Sequence, residues 1–138
     1  MKLIGMANPF RECGDRSQAE KAAGIPFPLP KELSDCGHGA FRVIPGRLIE
    51  NTFLTAKGSV FYRKGRGPEE DISGDYRGGK RHRRMTVAGI PVVLRGGWKR
   101  YLNAVWSKGE YRYALVFREG MPLEDALYFA EAIMNGEK

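Results

Sequence analysis

The chain has 138 residues, of which 42% are hydrophobic, enough for one hydrophobic core and too few for two. Its 18 glycines and 8 prolines fall short of the content that indicates low complexity. No apolar run approaches the ~20 residues that cross a bilayer, which excludes a transmembrane helix. We therefore expect one globular domain over residues 1–138, with residues 1–16 forming an extended or partly ordered N-terminal segment.

The net charge of +7 is unevenly distributed along the chain. Residues 57–112 hold 14 basic and 5 acidic residues, whereas the rest of the chain holds 9 basic and 11 acidic residues. The acidic residues near the C-terminus, Glu124, Asp125 and Glu131, offer this basic region an internal or intermolecular partner. The charge excess is therefore a regional property, and by itself a weak argument for function.

The N-terminus and the cysteines bear on location. Asn8 and Pro9 end the first apolar run before a leader of ordinary length accumulates. Cys13 and Cys36 are too few to indicate a disulfide framework. We expect a cytoplasmic protein, or an exported one if a leader has been removed.

The predicted elements begin with a short N-terminal helix. Ser17 and Glu20 have the spacing of a capping box, and Gly24 is placed as the C-terminal cap. The prolines that follow predict an extended segment.

Alternating apolar residues predict strands in the middle of the chain. Ala88 and Gly89 lie between two such runs as a tight hairpin turn, and residues 107–109 take the same place in a second hairpin. The predicted strands are a run beginning at Phe41 and the segments 48–55, 60–63, 85–88, 91–94, 101–106 and 111–118.

The last strand gives the clearest pattern, because two different sets of side chains alternate along it. Tyr111, Tyr113, Leu115 and Phe117 share one face, and Arg112, Ala114, Val116 and Arg118 share the other.

A second helix follows this strand. It carries Pro122 in its first turn and ends at Gly136. Its apolar stripe consists of Leu123, Ala126, Leu127, Ala130, Ile133 and Met134. The sequence thus predicts an α+β fold: a single curved antiparallel β-sheet of about five to seven strands, meander-like, with the short N-terminal helix and the C-terminal helix packed across it.

The C-terminal part of the chain shows the order hairpin, Trp strand, Tyr strand, helix, in residues 87–94, 104–106, 109–115 and 120–125. From residue 87 to residue 138 it resembles a bacterial domain-of-unknown-function family, number 4367. Upstream, residues 8–10, 19–24, 61–63 and 72–76 are similar to short members of that type. The resemblance implies a curved antiparallel sheet with helices on one side and a regulatory or ligand-binding role. It brings no catalytic residue, and the export or membrane anchoring frequent in longer members does not carry over.

Aromatic residues supply the first candidate site. Trp106 and Tyr113 lie on strands joined by a short turn, so we expect them to be cross-strand neighbours beneath the C-terminal helix. Other aromatic residues either pack in the core or line an open concave face of the sheet that binds an apolar or flat ligand. These candidate ligand-binding residues are Tyr62, Tyr76, Trp98, Tyr101 and Tyr111.

Residues 77–84 form a basic, glycine-containing run between predicted strands, typical of a solvated loop. The same run could bind phosphates or nucleic acid, although the sequence matches no known nucleic-acid module. The candidate anion-binding residues are Arg77, Lys80, Arg81, Arg83 and Arg84.

Patterns for metal binding and catalysis are weak. A calcium loop starting at Asp71 lacks its turn glycine and its bidentate glutamate. Cys36 lies near His38 as a thiol beside an imidazole, and with Cys13 and His82 these residues lack the paired spacing of a zinc site. We expect no metal or cofactor.

Three hypotheses about function follow from these patterns. The first is a non-enzymatic ligand-binding or regulatory module, whose partner is a small ligand on the sheet face or another protein. The second is an anion or nucleic-acid binder that uses the basic run 77–84. The third is a small thiol enzyme centred on Cys36.

Overall fold

In a computed structural model the chain is described over residues 10–34, 37–67, 72–73, 81–97 and 99–137. The helices are α1 (Arg16–Ala23), α2 (Lys31–Ser34) and α3 (Leu123–Gly136). The strands are β1 (Arg11–Cys13), β2 (Gly37–His38), β3 (Phe41–Ile44), β4 (Leu48–Thr55), β5 (Gly58–Arg66), β6 (Arg81–Val87), β7 (Ile90–Gly96), β8 (Tyr101–Lys108) and β9 (Tyr111–Met121).

All nine strands of the described residues belong to one antiparallel sheet, in the order β1-β3-β4-β5-β9-β8-β7-β6, with β2 paired to β4. The prediction of an α+β fold with an antiparallel sheet and a C-terminal helix is confirmed, but five to seven strands was too few. Two short strands, β1 and β2, carry too few residues to show alternation. The sheet consists of two meanders, β3-β4-β5 and β6-β7-β8-β9, joined where β5 pairs with β9.

The turn between β6 and β7 has the geometry that the sequence predicts. Ala88 and Gly89 both have positive φ, 50° and 80°, as a two-residue type I′ hairpin turn requires. In the second hairpin the strands extend further than predicted, because Lys108 pairs with Tyr111 and the turn contains only Gly109 and Glu110.

The N-terminal helix begins at Arg16, and its N-cap lies two residues before the predicted one. Asp15, not Ser17, is the N-cap, and its carboxylate accepts a hydrogen bond from the backbone N–H of Gln18. Glu20 does not close a capping box but accepts from the backbone N–H of Phe27 at 2.6 Å, fastening the proline-rich segment to the helix. The helix ends as predicted at Gly24, which has φ 69°.

One face of the sheet, called here the covered face, packs against the helices. Its side chains include Val43, Phe53, Tyr62 and Leu115, which form one core cluster with residues of α1 and α3. From α3 the buried residues are Ala126, Phe129, Ala130, Ala132, Ile133 and Met134. The predicted cross-strand pair is confirmed in this layer, because the rings of Trp106 and Tyr113 stack with centroids 5.4 Å apart. Among the described residues no helix is both long and apolar enough to cross a bilayer.

Candidate anion-binding site

The opposite face of the sheet, called here the second face, carries a ladder of alternating charge. Glu12, Arg42, Glu50 and Arg63 lie directly opposite one another on β1, β3, β4 and β5, and directly paired residues share a face. Glu50 is only 3% exposed and accepts from the Nε atoms of Arg42 and Arg63, each at 2.6 Å. The ring of Phe10 lies 4.3 Å from the Arg42 guanidinium. This half of the second face therefore neutralises most of its own charge.

The same row of paired residues continues across the other half of the sheet with apolar side chains. Arg63 is followed by Ala114 on β9, Val105 on β8 and Val93 on β7, and the row ends at Arg84 on β6. A pocket of about 230 Å³ opens over this apolar part of the row. It is lined by Pro91, Val93, Val105, Trp106, Ser107 and Arg112.

Arg112 is the charged residue of this pocket. Its Nε atom is buried without an acceptor among the described residues, and its Nη1 atom makes only a long contact of 3.5 Å with the carbonyl oxygen of Tyr111. Leaving a buried charged donor unpaired is unfavourable, by about 1–3 kcal/mol or more. Arg112 and Ser107 both line the pocket, so the arginine would offer a positive charge and the serine a hydroxyl to an anion bound there.

Two other arginines of the second face are held by the protein itself. Arg63 Nη1 donates to the carbonyl oxygens of Ile72 and Ser73, at 3.3 and 3.1 Å. Arg95 donates from Nε to Asn103 Oδ1 at 2.9 Å and from Nη2 to Ser73 Oγ at 3.4 Å. These two side chains fix residues 72–73 against the sheet, so their role is structural.

The covered face contains a second polar centre, around Lys64. This side chain is 1% exposed, and its ammonium donates to the carbonyl oxygen of Pro26 at 2.6 Å and to both carboxylate oxygens of Glu137 at 2.9 and 3.0 Å. Tyr113 donates its hydroxyl to Glu137 Oε1 at 2.8 Å. Because all three ammonium protons have acceptors, we interpret this centre as a fastening of α3 and the proline-rich segment to β5.

Two tyrosines next to Lys64 are held in their neutral form. Burial is the main cause that raises the pKa of Tyr62 well above its ordinary value, and the nearby Glu137 and Tyr113 raise it further. Burial is also the main cause that raises the pKa of Tyr113, and its hydrogen bond to Glu137 is the second cause. The Tyr62 hydroxyl is buried with no partner among the described residues, and its ring stacks on Phe27 with centroids 4.6 Å apart.

The predicted aromatic ligand-binding residues are not brought together on an open face. Tyr62 and Tyr101 are buried in the core cluster, and Tyr111 is half-buried on the covered face with its ring 4.4 Å from the Lys64 ammonium. Tyr76 and Trp98 lie outside the described residues. Core packing accounts for Tyr62 and Tyr101, whereas Tyr111 is partly buried against the core and also lines a pocket of about 280 Å³ with Tyr113 and Glu137.

The sequence predicts a solvated loop for the basic run 77–84, and this prediction is wrong for the second half of the run. The residues from Arg81 onward belong to β6, where Arg83 and Arg84 are exposed and point to opposite faces of the sheet. The alternation that would predict a strand is hidden there, because an edge strand carries charged side chains on both faces. Arg77 and Lys80 lie outside the described residues.

The alternation along β9 predicts the face on which Arg112 lies, but it does not indicate a binding site there. Along this face of β9, a charged residue stands at each end of an apolar centre: Arg112, Ala114, Val116 and Arg118. This pattern is the only sequence signal for the site. The pocket cannot be predicted from it, because neighbouring strands supply the rest of the pocket floor.

The expected absence of a metal site remains a prediction. The described residues contain no group of three or more His, Cys, Asp or Glu side chains that could hold an ion. The cysteine of the thiol hypothesis, Cys36, and two residues of the rejected calcium loop, Asp71 and Asp75, lie outside the described residues.

Comparison of the chain with protein-family models, with curated proteins and with solved structures finds no match. The resemblance to family number 4367 therefore stays a prediction.

Proposed function

We propose that this protein is a non-enzymatic binding module whose ligand is an anion, a carboxylate or phosphate carried on a small apolar body. The observation that supports the proposal is Arg112, which lines the pocket and forms no ion pair with any described residue. A ligand anion would pair with this guanidinium, and charge-assisted hydrogen bonds are about twice as strong as neutral ones.

The size and lining of the pocket limit the ligand. A volume of about 230 Å³ is below the ~300–1,000 Å³ typical of sites for drug-sized molecules, so the pocket fits a small ligand or one group of a larger one. Pro91, Val93 and Val105 provide an apolar floor, and the polar groups stand at its border. The complementary ligand therefore combines one anionic group with a compact apolar part.

Binding of phenyl phosphate, followed by titration calorimetry, tests this proposal, with inorganic phosphate and benzyl alcohol as half-ligands. We expect phenyl phosphate to bind more tightly than either half. Arg112→Met should weaken binding by about 10- to 100-fold, the equivalent of one hydrogen bond to a charged group. Arg16→Met removes the same charge from an exposed position on α1 and should leave binding unchanged.

Equal affinity of Arg112→Met and the unchanged protein would overturn the assignment of the site, as would failure of phenyl phosphate to bind at all. Conversion of phenyl phosphate to phenol during the incubation would overturn the non-enzymatic part.

A polyanion, most simply a nucleic acid, is a second candidate ligand. The observation that favours it is Arg84, which stands directly opposite Val93 at the border of the same floor and forms no ion pair with any described residue. Titration of labelled single- and double-stranded DNA at several salt concentrations separates the two ligands. Nucleic-acid binding should weaken steeply with salt and be lost on changing Lys80, Arg81, Arg83 and Arg84 to Glu. No binding at low salt would reject it.

A further inference from the structure

Among the described residues, β6 forms the outer edge of the larger meander. β6 is the last strand in the sheet order, so among the described residues it pairs only with β7 over its seven residues. Such an edge presents unpaired N–H and C=O groups that can pair with another strand. The side chains on and beside β6 determine which strand can pair with this edge.

A groove lies beside this edge, between the β6–β7 turn and α3. It measures about 440 Å³ and holds Tyr128, whose side chain is 52% exposed. From α3 the lining residues recur at intervals of three and four, which places them on one helix face. The full lining is Thr86, Val87, Ala88, Glu124, Leu127, Tyr128 and Glu131.

The groove is acidic and the neighbouring part of β6 is basic. Glu124 and Glu131 form no ion pair with any described residue, in contrast to Asp125, which lies 3.8 Å from the Lys57 ammonium. Arg83 is exposed and is likewise without an ion pair in the described part of the chain. Arg83 is four residues from Val87, about 13 Å along the strand, so it lies away from the groove of its own chain.

Pleating separates Arg83 from the pocket on the second face. Arg83 is directly opposite Leu94, a core residue, so its side chain is on the covered-face side together with α3. Arg84 is opposite Val93 and belongs to the second face. A role for Arg83 at this edge is therefore independent of the anion site at Arg112.

We propose that the protein forms a two-fold symmetric dimer in which β6 strands of two copies pair antiparallel, centred on Met85. In this register Arg83 of each copy lies opposite Val87 of the other copy, on the same side of the sheet, and its guanidinium enters the groove that contains Glu124 and Glu131. Registers that place Arg83 opposite Arg84 bring like charges together and are disfavoured. One edge carries both complementary halves, as a two-fold interface requires.

Sedimentation velocity across a concentration series tests this proposal, with charge reversals on each half of the interface. The unchanged protein should dimerise. Arg83→Glu alone, and Glu124→Lys with Glu131→Lys, should each weaken dimerisation by at least about 100-fold, because each places like charges in contact. Arg84→Glu is the matched control: it makes the same charge change one residue away on the opposite face and should leave the dimer intact.

Mixing the two dissociated variants gives the decisive result. In a mixed pair the introduced glutamate faces the introduced lysines, and the unchanged Arg83 faces the unchanged Glu124 and Glu131, so the heterodimer should form. This rescue also shows that both variants are folded. A monomer at every concentration would overturn the proposal and indicate that the arginines only guard the edge. No rescue on mixing, or equal dissociation by Arg84→Glu, would overturn it as well.

Discussion

Glu50 shows why a count of charges overstates the positive charge available to a ligand. Its buried carboxylate forms ion pairs with both Arg42 and Arg63, so these two positive charges are already paired within the protein. Arg112 has the same charge but lies over an apolar floor, with no carboxylate opposite it in the register. The neighbours of an arginine, more than its presence, decide whether it is available to a ligand.

The buried tyrosines predict a loss of stability at high pH. The raised pKa values of Tyr62 and Tyr113 mean that the folded state holds both phenols neutral, whereas in the unfolded chain they ionise near pH 10. Their stabilising effect is complete below that pH and is lost as the pH rises above it, by about 1.4 kcal/mol per pH unit for each group.

Urea unfolding between pH 8 and pH 11 measures this effect. Tyr62→Phe removes one ionising group and should make the decline in unfolding free energy above about pH 10 less steep. It also removes a buried hydroxyl without a partner, so we expect little loss of stability at neutral pH. An unchanged slope in this variant would contradict the role given to Tyr62.

At the scale of elements, the β6–β7 hairpin is the clearest case of local sequence deciding structure. Its turn needs two residues of positive φ; Gly89 adopts this conformation without strain, while Ala88 does so against the preference of its Cβ atom.

Opposite substitutions in this turn should have opposite effects. We expect Ala88→Asn to stabilise the protein by about 0.5–1 kcal/mol, because Asn-Gly is the preferred type I′ pair, and Gly89→Ala to destabilise it by about 1 kcal/mol. Denaturant unfolding at one fixed protein concentration checks both. Destabilisation by Ala88→Asn would show that the turn departs from this geometry.

The basic run illustrates the limit of local patterns at this scale. Charged residues in sequence favour a solvated loop, yet the segment from Arg81 to Met85 pairs in register with β7. Pairing with an apolar neighbour overrides the local preference, because the backbone of an edge strand gains hydrogen bonds on one side while its charged side chains stay in water.

At the scale of the whole molecule, the contact between β5 and β9 holds the two meanders together. Seven residue pairs join these strands, from Val60 opposite Phe117 to Arg66 opposite Tyr111, and both strands are central in the sheet. The paired residues are far apart in sequence, so closing this contact costs more chain entropy than closing the hairpins.

Native-state hydrogen exchange should therefore show a gradient from the centre of the sheet to its edges. The slowest amides are expected in β5 and β9, with opening free energies close to that of global unfolding, and the amides of β1 should exchange at least about 100-fold faster. Equal protection of β1 and β5 would contradict a sheet that opens from its edge.

The sequence by itself determined the local features of this protein. The alternation along β9, the apolar stripe of α3, the Ala88-Gly89 turn and the end of α1 at Gly24 each depend on a few consecutive residues, and each could be predicted. The antiparallel α+β class followed from those elements, although the strand number did not.

Only the tertiary structure decided which strands became neighbours, and with that the candidate sites. Arg112 borders a pocket because β8 and β7 supply Val105 and Val93 beside it, and Tyr62 is core because Phe27 and the end of α3 close over it. The edge position of β6, on which the proposed dimer depends, is fixed by the β5–β9 pairing at a distance. Side-chain direction is a local property of a strand, whereas what a side chain faces depends on contacts between residues far apart in the chain.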